Sequence, residues 1–131
     1  MKISGRGLEC ELQFSELDRE GWMKTNVDVK VPGFEGSFIC AVEIKEWEAF
    51  IHALQNLEAS IGRDIKVSWG NMEGDIEFHF SLRKNGGLEG KYKFSPSSSG
   101  NSPILSGEFE ADQTFLHGWV RSVQQALDIA R

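Results

Sequence analysis

The chain has 131 residues, with 14 Lys and Arg against 20 Asp and Glu, a net charge of −6 and a pI near 5.1. This length predicts a single domain over residues 1–131. The acidity argues against a nucleic-acid partner, because phosphate binding depends on clustered Lys and Arg, and it favours a basic partner. The longest apolar run, residues 38–42, is too short to cross a membrane. No secretory signal is visible, so we expect a cytoplasmic location.

Alternating apolar and polar residues predict three strands in the first part of the chain. The first covers Leu8 to Phe14, the second Lys24 to Val31, and the third runs from Phe34 to about Ile44. Pro32-Gly33 lies between the last two and is typical of a turn. Gly36 interrupts the third strand, which indicates a bulge or a close approach of another group.

The hydrophobic period changes after the third strand, which predicts a helix ending near Gly62. Its apolar residues recur at steps of three and four, and they are Trp47, Phe50, Ile51, Leu54, Leu57 and Ile61.

The second part predicts four more strands, at Asp64–Trp69, Ile76–Leu82, Leu88–Phe94 and Ile104–Ala111. Asn85-Gly86 favours a tight hairpin in which both residues adopt positive φ. Asp112 is positioned to cap a final helix. The apolar stripe of that helix comprises Leu116, Trp119, Val120, Val123, Leu127 and Ala130.

The connections between most strands are too short for helical crossovers, so the sheet should be largely antiparallel. We therefore predict an α+β fold, a two-layer domain in which two helices pack on a sheet of about six to seven strands. The predicted order is β-β-β-α-β-β-β-β-α. No internal repeat is evident in the sequence.

The residues that carry chemistry form no recognisable constellation. Cys10 and Cys40 lack metal-ligand or redox spacing and are in phase with apolar neighbours, so both are expected in the core. His52, His79 and His117 lie on separate elements, without the spacing that directs two ligands to one metal. The sequence therefore predicts no metal, no cofactor and no catalytic residue. The enzymatic alternative is acid–base chemistry on a concave sheet face, carried by Glu108, Glu110 or His79.

One segment stands out for its charge. Five acids lie between positions 9 and 20 against one arginine, and the segment ends at Trp22. An acidic loop beside an aromatic residue suits the docking of a basic protein, because its field attracts the partner and Trp is enriched at binding hot spots. The predicted partner-binding residues are Glu16, Asp18, Glu20 and Trp22. The alternative is a solubilising loop with Trp22 buried in the core.

Two motifs resemble the WapI-type immunity family of bacteria. The first is Trp22-x-x-x-Asn26 leading into Gly33-Phe34-x-Gly36-x-Phe38. The second, Gly107-Glu108-Phe109-Glu110-Ala111-Asp112-Gln113-Thr114-Phe115-Leu116, is a strand-to-helix junction, and the resemblance spans roughly residues 8 to 130. It implies a non-catalytic, cytoplasmic antidote that binds and neutralises the toxic domain of a polymorphic, contact-dependent toxin. The alternative is a structural or interaction module unrelated to toxins.

Overall fold

The computed structural model describes residues 1–15, 17–96 and 102–131. Within these ranges the chain forms eight strands and two helices. The strands are β1 (Lys2–Gly5), β2 (Leu8–Phe14), β3 (Trp22–Val31), β4 (Phe34–Glu43), β5 (Ile65–Gly70), β6 (Ile76–Leu82), β7 (Gly87–Phe94) and β8 (Leu105–Asp112). The helices are α1 (Ile44–Ala59), which follows β4, and α2 (Gln113–Ala130), which follows β8. Neither of these helices is long and apolar enough to span a membrane.

The strands form two antiparallel sheets, each with its strands in sequence order. The first sheet has the order β1-β2-β3-β4, and the second has the order β5-β6-β7-β8. Each sheet is followed directly by a helix, so the chain runs twice through four strands and a helix. The sequence gives no sign of this repeat, because its two copies share element order without a shared residue pattern.

The α+β class and the antiparallel pairing are confirmed, and the strand count is close to the prediction. The structure adds β1 at the N-terminus and divides the strands into two sheets. Strand β1 was missed because it is four residues long and buries one apolar side chain, Ile3, so alternation cannot show. Both helix faces were predicted almost completely, with Trp47, Phe50, Leu54 and Trp119 among the buried residues.

Two local predictions were wrong. Gly36 lies in an unbroken register between β3 and β4, so it forms no bulge, and a Cβ built there meets nothing within 4 Å. The Asn85-Gly86 hairpin is present, but of the two only Gly86 adopts positive φ. Gly86 donates its N–H to Arg83 O, and the loop has three residues rather than two. A three-residue loop needs only one left-handed position.

The core is one continuous cluster that joins both sheets to both helices. Trp47 of α1 packs against Phe14 of the first sheet and stacks on Trp69 of the second, with ring centroids 5.1 and 5.0 Å apart. Trp119 of α2 contacts Phe80 of the second sheet at 5.6 Å. The helices therefore use the inner faces of the sheets and leave their outer faces free.

Two indole groups tie each helix to a strand of the other repeat. The Nε1–H of Trp69, on β5, donates to Glu46 O of α1 at 2.9 Å. The Nε1–H of Trp119, on α2, donates to Ser4 O of β1 at 2.9 Å. The Glu46 carboxylate also accepts the backbone N–H of Glu43 at 2.8 Å and of Met72 at 2.5 Å. Glu46 therefore joins the start of α1 to the β5–β6 connection.

In the described part of the chain, the backbones of the two sheets are joined by a bridge between Arg6 and Glu110. The N–H of each residue donates to the carbonyl oxygen of the other, at 2.8 and 3.0 Å. Gly5 makes this approach feasible, because a Cβ at that position would lie 2.6 Å from Glu110 O. Real Cβ atoms do not come so close to a backbone oxygen.

Gly5→Ala should lower the free energy of unfolding by about 1–3 kcal/mol, because β1 must move away from β8. Gly36→Ala is the matched control, since its Cβ enters open space and Ala suits a strand better than Gly. We expect Gly36→Ala to change the stability by less than about 0.5 kcal/mol. Urea unfolding of both variants checks this, and equal destabilisation would contradict the role of Gly5.

Trp47→Phe should cost less stability than Trp69→Phe. Area alone predicts the opposite order, because Trp47 is 0% exposed and Trp69 is 8% exposed. The Nε1–H of Trp47, however, is buried and finds no acceptor among the described residues, an arrangement that costs about 1–3 kcal/mol. Trp47→Phe removes that donor, whereas Trp69→Phe breaks a hydrogen bond. Urea unfolding followed by circular dichroism measures the order.

Candidate partner-binding surface

The acidic segment predicted to bind a partner connects β2 to β3. Asp18 shapes this connection, because its Oδ1 accepts the backbone N–H of Glu20 at 2.8 Å and of Trp22 at 2.9 Å. Gly21 O accepts the N–H of Ile44 at 2.8 Å and fixes the segment to the start of α1. Asp18 and Glu20 are exposed. Glu16, the remaining acid of the prediction, lies outside the described residues.

Trp22 is half-buried and does not belong to the core cluster. It pairs with Glu43 at the end of the first sheet where the acidic segment lies. The alternate residues of β3, from Met23 to Val31, are buried, so Trp22 faces outward. On β4 that outer face holds Ile39 and Ala41, both exposed. Trp22 is therefore continuous with the outer face of the first sheet.

Four carboxylates mark that outer face, which we call the acidic face: Glu9, Glu11, Asp28 and Glu35. They line a shallow groove of about 520 Å³, together with Lys2 and Lys30. None of these four carboxylates forms an ion pair within 4.0 Å inside the described ranges. Lys2 and Lys30 are their cross-strand neighbours, so the groove carries four negative and two positive side chains, an excess of negative charge that a basic partner could meet.

The outer face of the second sheet has a different electrostatic character. It forms a groove of about 770 Å³, and its charges pair across strands. Arg83 lies 2.6 Å from Glu89, Lys91 lies 3.9 Å from Glu108, and Arg6 lies 3.8 Å from Glu110. Exposed pairs of this kind stabilise the fold little, but they cancel the local field. The second sheet thus offers a partner less net charge than the acidic face does.

The same groove brings together the three residues of the enzymatic alternative, Glu108, Glu110 and His79. It also contains a contact that sequence reasoning missed: Ser68 Oγ lies 2.7 Å from His79 Nδ1. The two residues are paired on β5 and β6, and only the strand register reveals this. A nucleophilic serine needs a base oriented by a third group, and within the described ranges Ser68 is the one hydrogen-bond partner of His79. Ser68 and His79 therefore form a pair without a third orienting residue in the described part of the chain.

The other candidate residues lie apart. His117 Nδ1 contacts Glu58 Oε2 at 2.7 Å between the helices, and His52 is exposed on α1. The described residues contain no group of three or more His, Cys, Asp or Glu that could hold a metal ion. Cys10 and Cys40 are free and buried, as predicted. Burial raises the pKa of each thiol to about 12, with a further contribution from nearby carboxylates.

Both thiols should therefore resist alkylation in the native protein. The thiolate is the reactive form, and a pKa of about 12 leaves almost none of it at pH 8. We expect the reaction with iodoacetamide to be at least about a hundredfold slower than for free cysteine. Denatured protein supplies the control, because both thiols become accessible there. Rapid labelling of either thiol in the folded state would contradict its burial.

The structure thus defines an α+β protein with one self-neutralised outer face and one acidic face. Residues 2–130 match the Immunity protein WapI-like family. Because the match covers essentially the whole chain, the protein belongs to this family of immunity proteins.

No curated protein matches the sequence. A solved structure described as a protein with unknown function from the DUF155 family, from Prochlorococcus sp. NATL2A, is similar over 95% of this chain and 97% of its own. Its identity is 11% and its TM-score 0.39.

The family motifs at the strand-to-helix junction have a structural explanation. Asp112 ends β8, and its Oδ1 accepts the backbone N–H of Thr114 at 2.9 Å and the Thr114 hydroxyl at 2.5 Å. These hydrogen bonds lower the pKa of Asp112. Leu116 then buries the first turn of α2. The junction residues therefore have a structural role at the start of α2.

Proposed function

We propose that this protein is a non-catalytic immunity protein that binds and neutralises the toxic domain of a polymorphic, contact-dependent toxin in the cytoplasm. Family membership over residues 2–130 is the observation that carries the proposal. The acidic face supports it, because unpaired carboxylates attract a basic protein. Neutralisation would then follow from occupying the surface of the toxin domain, with no chemical step.

Coexpression with the toxin domain encoded immediately upstream of the gene tests this function. We expect growth of the producing cell to be rescued and a stable complex to be recovered by pull-down. An unrelated acidic protein expressed at the same level controls for charge alone. If both proteins are soluble and neither rescue nor a complex is found, the immunity role is wrong. An interaction module unrelated to toxins would then be the better hypothesis.

We further propose that Glu16, Asp18, Glu20 and Trp22 contribute to the contact with a basic toxin domain. The position of Trp22 supports this choice, because its N–H bonds to Asp18 of the acidic segment and its half-buried side chain lies on the outer face of the first sheet, and aromatic residues are frequent anchors at interfaces. Asp18 has a second role, because its Oδ1 holds the connection in shape. A charge test must therefore retain that acceptor.

The variant E16K/D18N/E20K should slow association with the toxin domain and weaken its dependence on salt, because charges at the rim act mainly on the association rate. The rate should fall about tenfold or more at low ionic strength. E73K/E108K/D128N is the matched control, because it changes the net charge by the same amount on other surfaces. Stopped-flow or surface-based kinetics measure both. Equal rates for the two variants would exclude the acidic segment.

A further inference from the structure

Strand β4 is the free edge of the first sheet. Among the described residues it pairs with β3 alone, whereas the opposite edge, β1, is joined to the second sheet through Arg6 and Glu110. The pairing with β3 is continuous from Phe34 to Glu43, so the edge is ten residues long. Residues 34–37, 39 and 41 are exposed. An edge of this length is a template for another strand.

The register identifies which backbone groups are unused. Ile44 N–H donates to Gly21 O, which makes Trp22 and Glu43 a non-hydrogen-bonded pair. Hydrogen-bonded and non-hydrogen-bonded pairs alternate along antiparallel strands. The N–H and C=O groups that point away from β3 therefore belong to alternate residues of β4, namely Glu35, Ser37, Ile39 and Ala41.

Of the usual protections of a free edge, this strand has only charged side chains, at Glu35 and Glu43. Natural edges carry Lys, Pro or a bulge, and the sequence of β4 contains none of these. It exposes instead two large apolar side chains, Phe34 at 70% and Ile39 at 53%. Gly36 has open space around it, so packing within the chain does not require a glycine there. Glycine inside a strand is typical of a site where another backbone approaches closely.

Charge decides which occupant fits this edge. The acidic face lies beside β4, and Glu35 belongs to both. A second copy of the chain is a poor match, because β4 has no Lys or Arg and each copy has a net charge of −6. A strand with Lys or Arg on alternate positions would place those cations over the acidic face while its backbone pairs with β4.

We propose that β4 accepts an extended, Lys- or Arg-containing segment of the cognate toxin domain as a fifth strand of the first sheet. This inference rests on the proposed function and specifies its interface. Strand addition supplies affinity through backbone hydrogen bonds and specificity through alternate side chains. Trp22 and the acidic segment lie at the Glu43 end of this edge, and Ile39 and Ala41 are exposed on the same outer face.

Residue-resolved amide hydrogen exchange, with and without the toxin domain, tests the inference. In the complex, exchange should slow about tenfold or more at Glu35, Ser37, Ile39 and Ala41, because their N–H groups would donate to carbonyl oxygens of the partner strand. The amides of the alternate residues already bond to β3 and should change less. The edge amides of β5 are the internal control, and they should keep their exchange rates.

A pair of proline variants provides a second readout. Ser37→Pro removes an N–H that β3 does not use, and we expect the dissociation constant of the complex to rise tenfold or more. It also removes the hydroxyl that donates to Asp28 Oδ1 at 2.5 Å, so Ser37→Ala is the side-chain control and should change the dissociation constant much less. Lys66→Pro is the matched control on β5. Asn71 N–H donates to Ile76 O, so the N–H of Lys66 likewise points away from its partner strand. This control should change the dissociation constant less than twofold.

The outcomes separate the inference from the proposed function. A complex that rescues growth but leaves the four β4 amides unprotected overturns strand addition and leaves the immunity role standing. Absence of both complex and rescue overturns both. Protection of the same amides in the free protein, with a concentration-dependent dimer, would show that a second copy covers β4 and would also overturn the inference. If Ser37→Pro does not fold, the exchange pattern alone decides.

Discussion

The structure depends on two indole hydrogen bonds that hold each helix to the other repeat. Trp69 bonds to the first turn of α1, and Trp119 bonds to β1 from within α2. In both hydrogen bonds the indole belongs to the second repeat and the carbonyl oxygen to the first. Because a four-stranded sheet with one helix buries little apolar surface alone, this exchange is what allows both inner faces to share one core.

Use of the inner faces for folding determines where function can lie. The helices and the aromatic network take up the buried side of both sheets, so chemistry or recognition is left to the outer faces, the connections and the edges. Among the described strands two free edges remain, β4 and β5, and they differ. Strand β5 packs beside α1 through Trp69, whereas residues 34–37 of β4 are exposed. The long exposed strand edge therefore lies on one side of the molecule.

The individual strands and helices could be predicted from the sequence because the apolar residues of each recur with a single period. Strands β2 and β6 and the start of α2 at Gln113 follow directly from alternation and from the Asp112 cap. The contact between the two sheets could not be predicted, because it depends on the Arg6–Glu110 bridge and on Gly5, where no periodic signal exists. The acidic segment was visible as charge, but the acidic face was not, since its members are assembled by register from three separate strands.

The contrast between the outer faces bears on how such a protein would act. On the second sheet, cross-strand pairs such as Lys91 with Glu108 satisfy the charges within the fold, and a partner would have to break them. On the first sheet, Asp28 accepts a hydrogen bond from the Ser37 hydroxyl but forms no ion pair within 4.0 Å among the described residues, and the groove keeps an excess of negative charge for a partner's cations. A protein that neutralises a toxin by covering its surface needs an outer face like that of the first sheet. The carboxylates of the acidic face would steer a basic partner, and the exposed edge of β4 would fix the register of the partner's strand. Neither effect requires an enclosed cavity or a reactive residue.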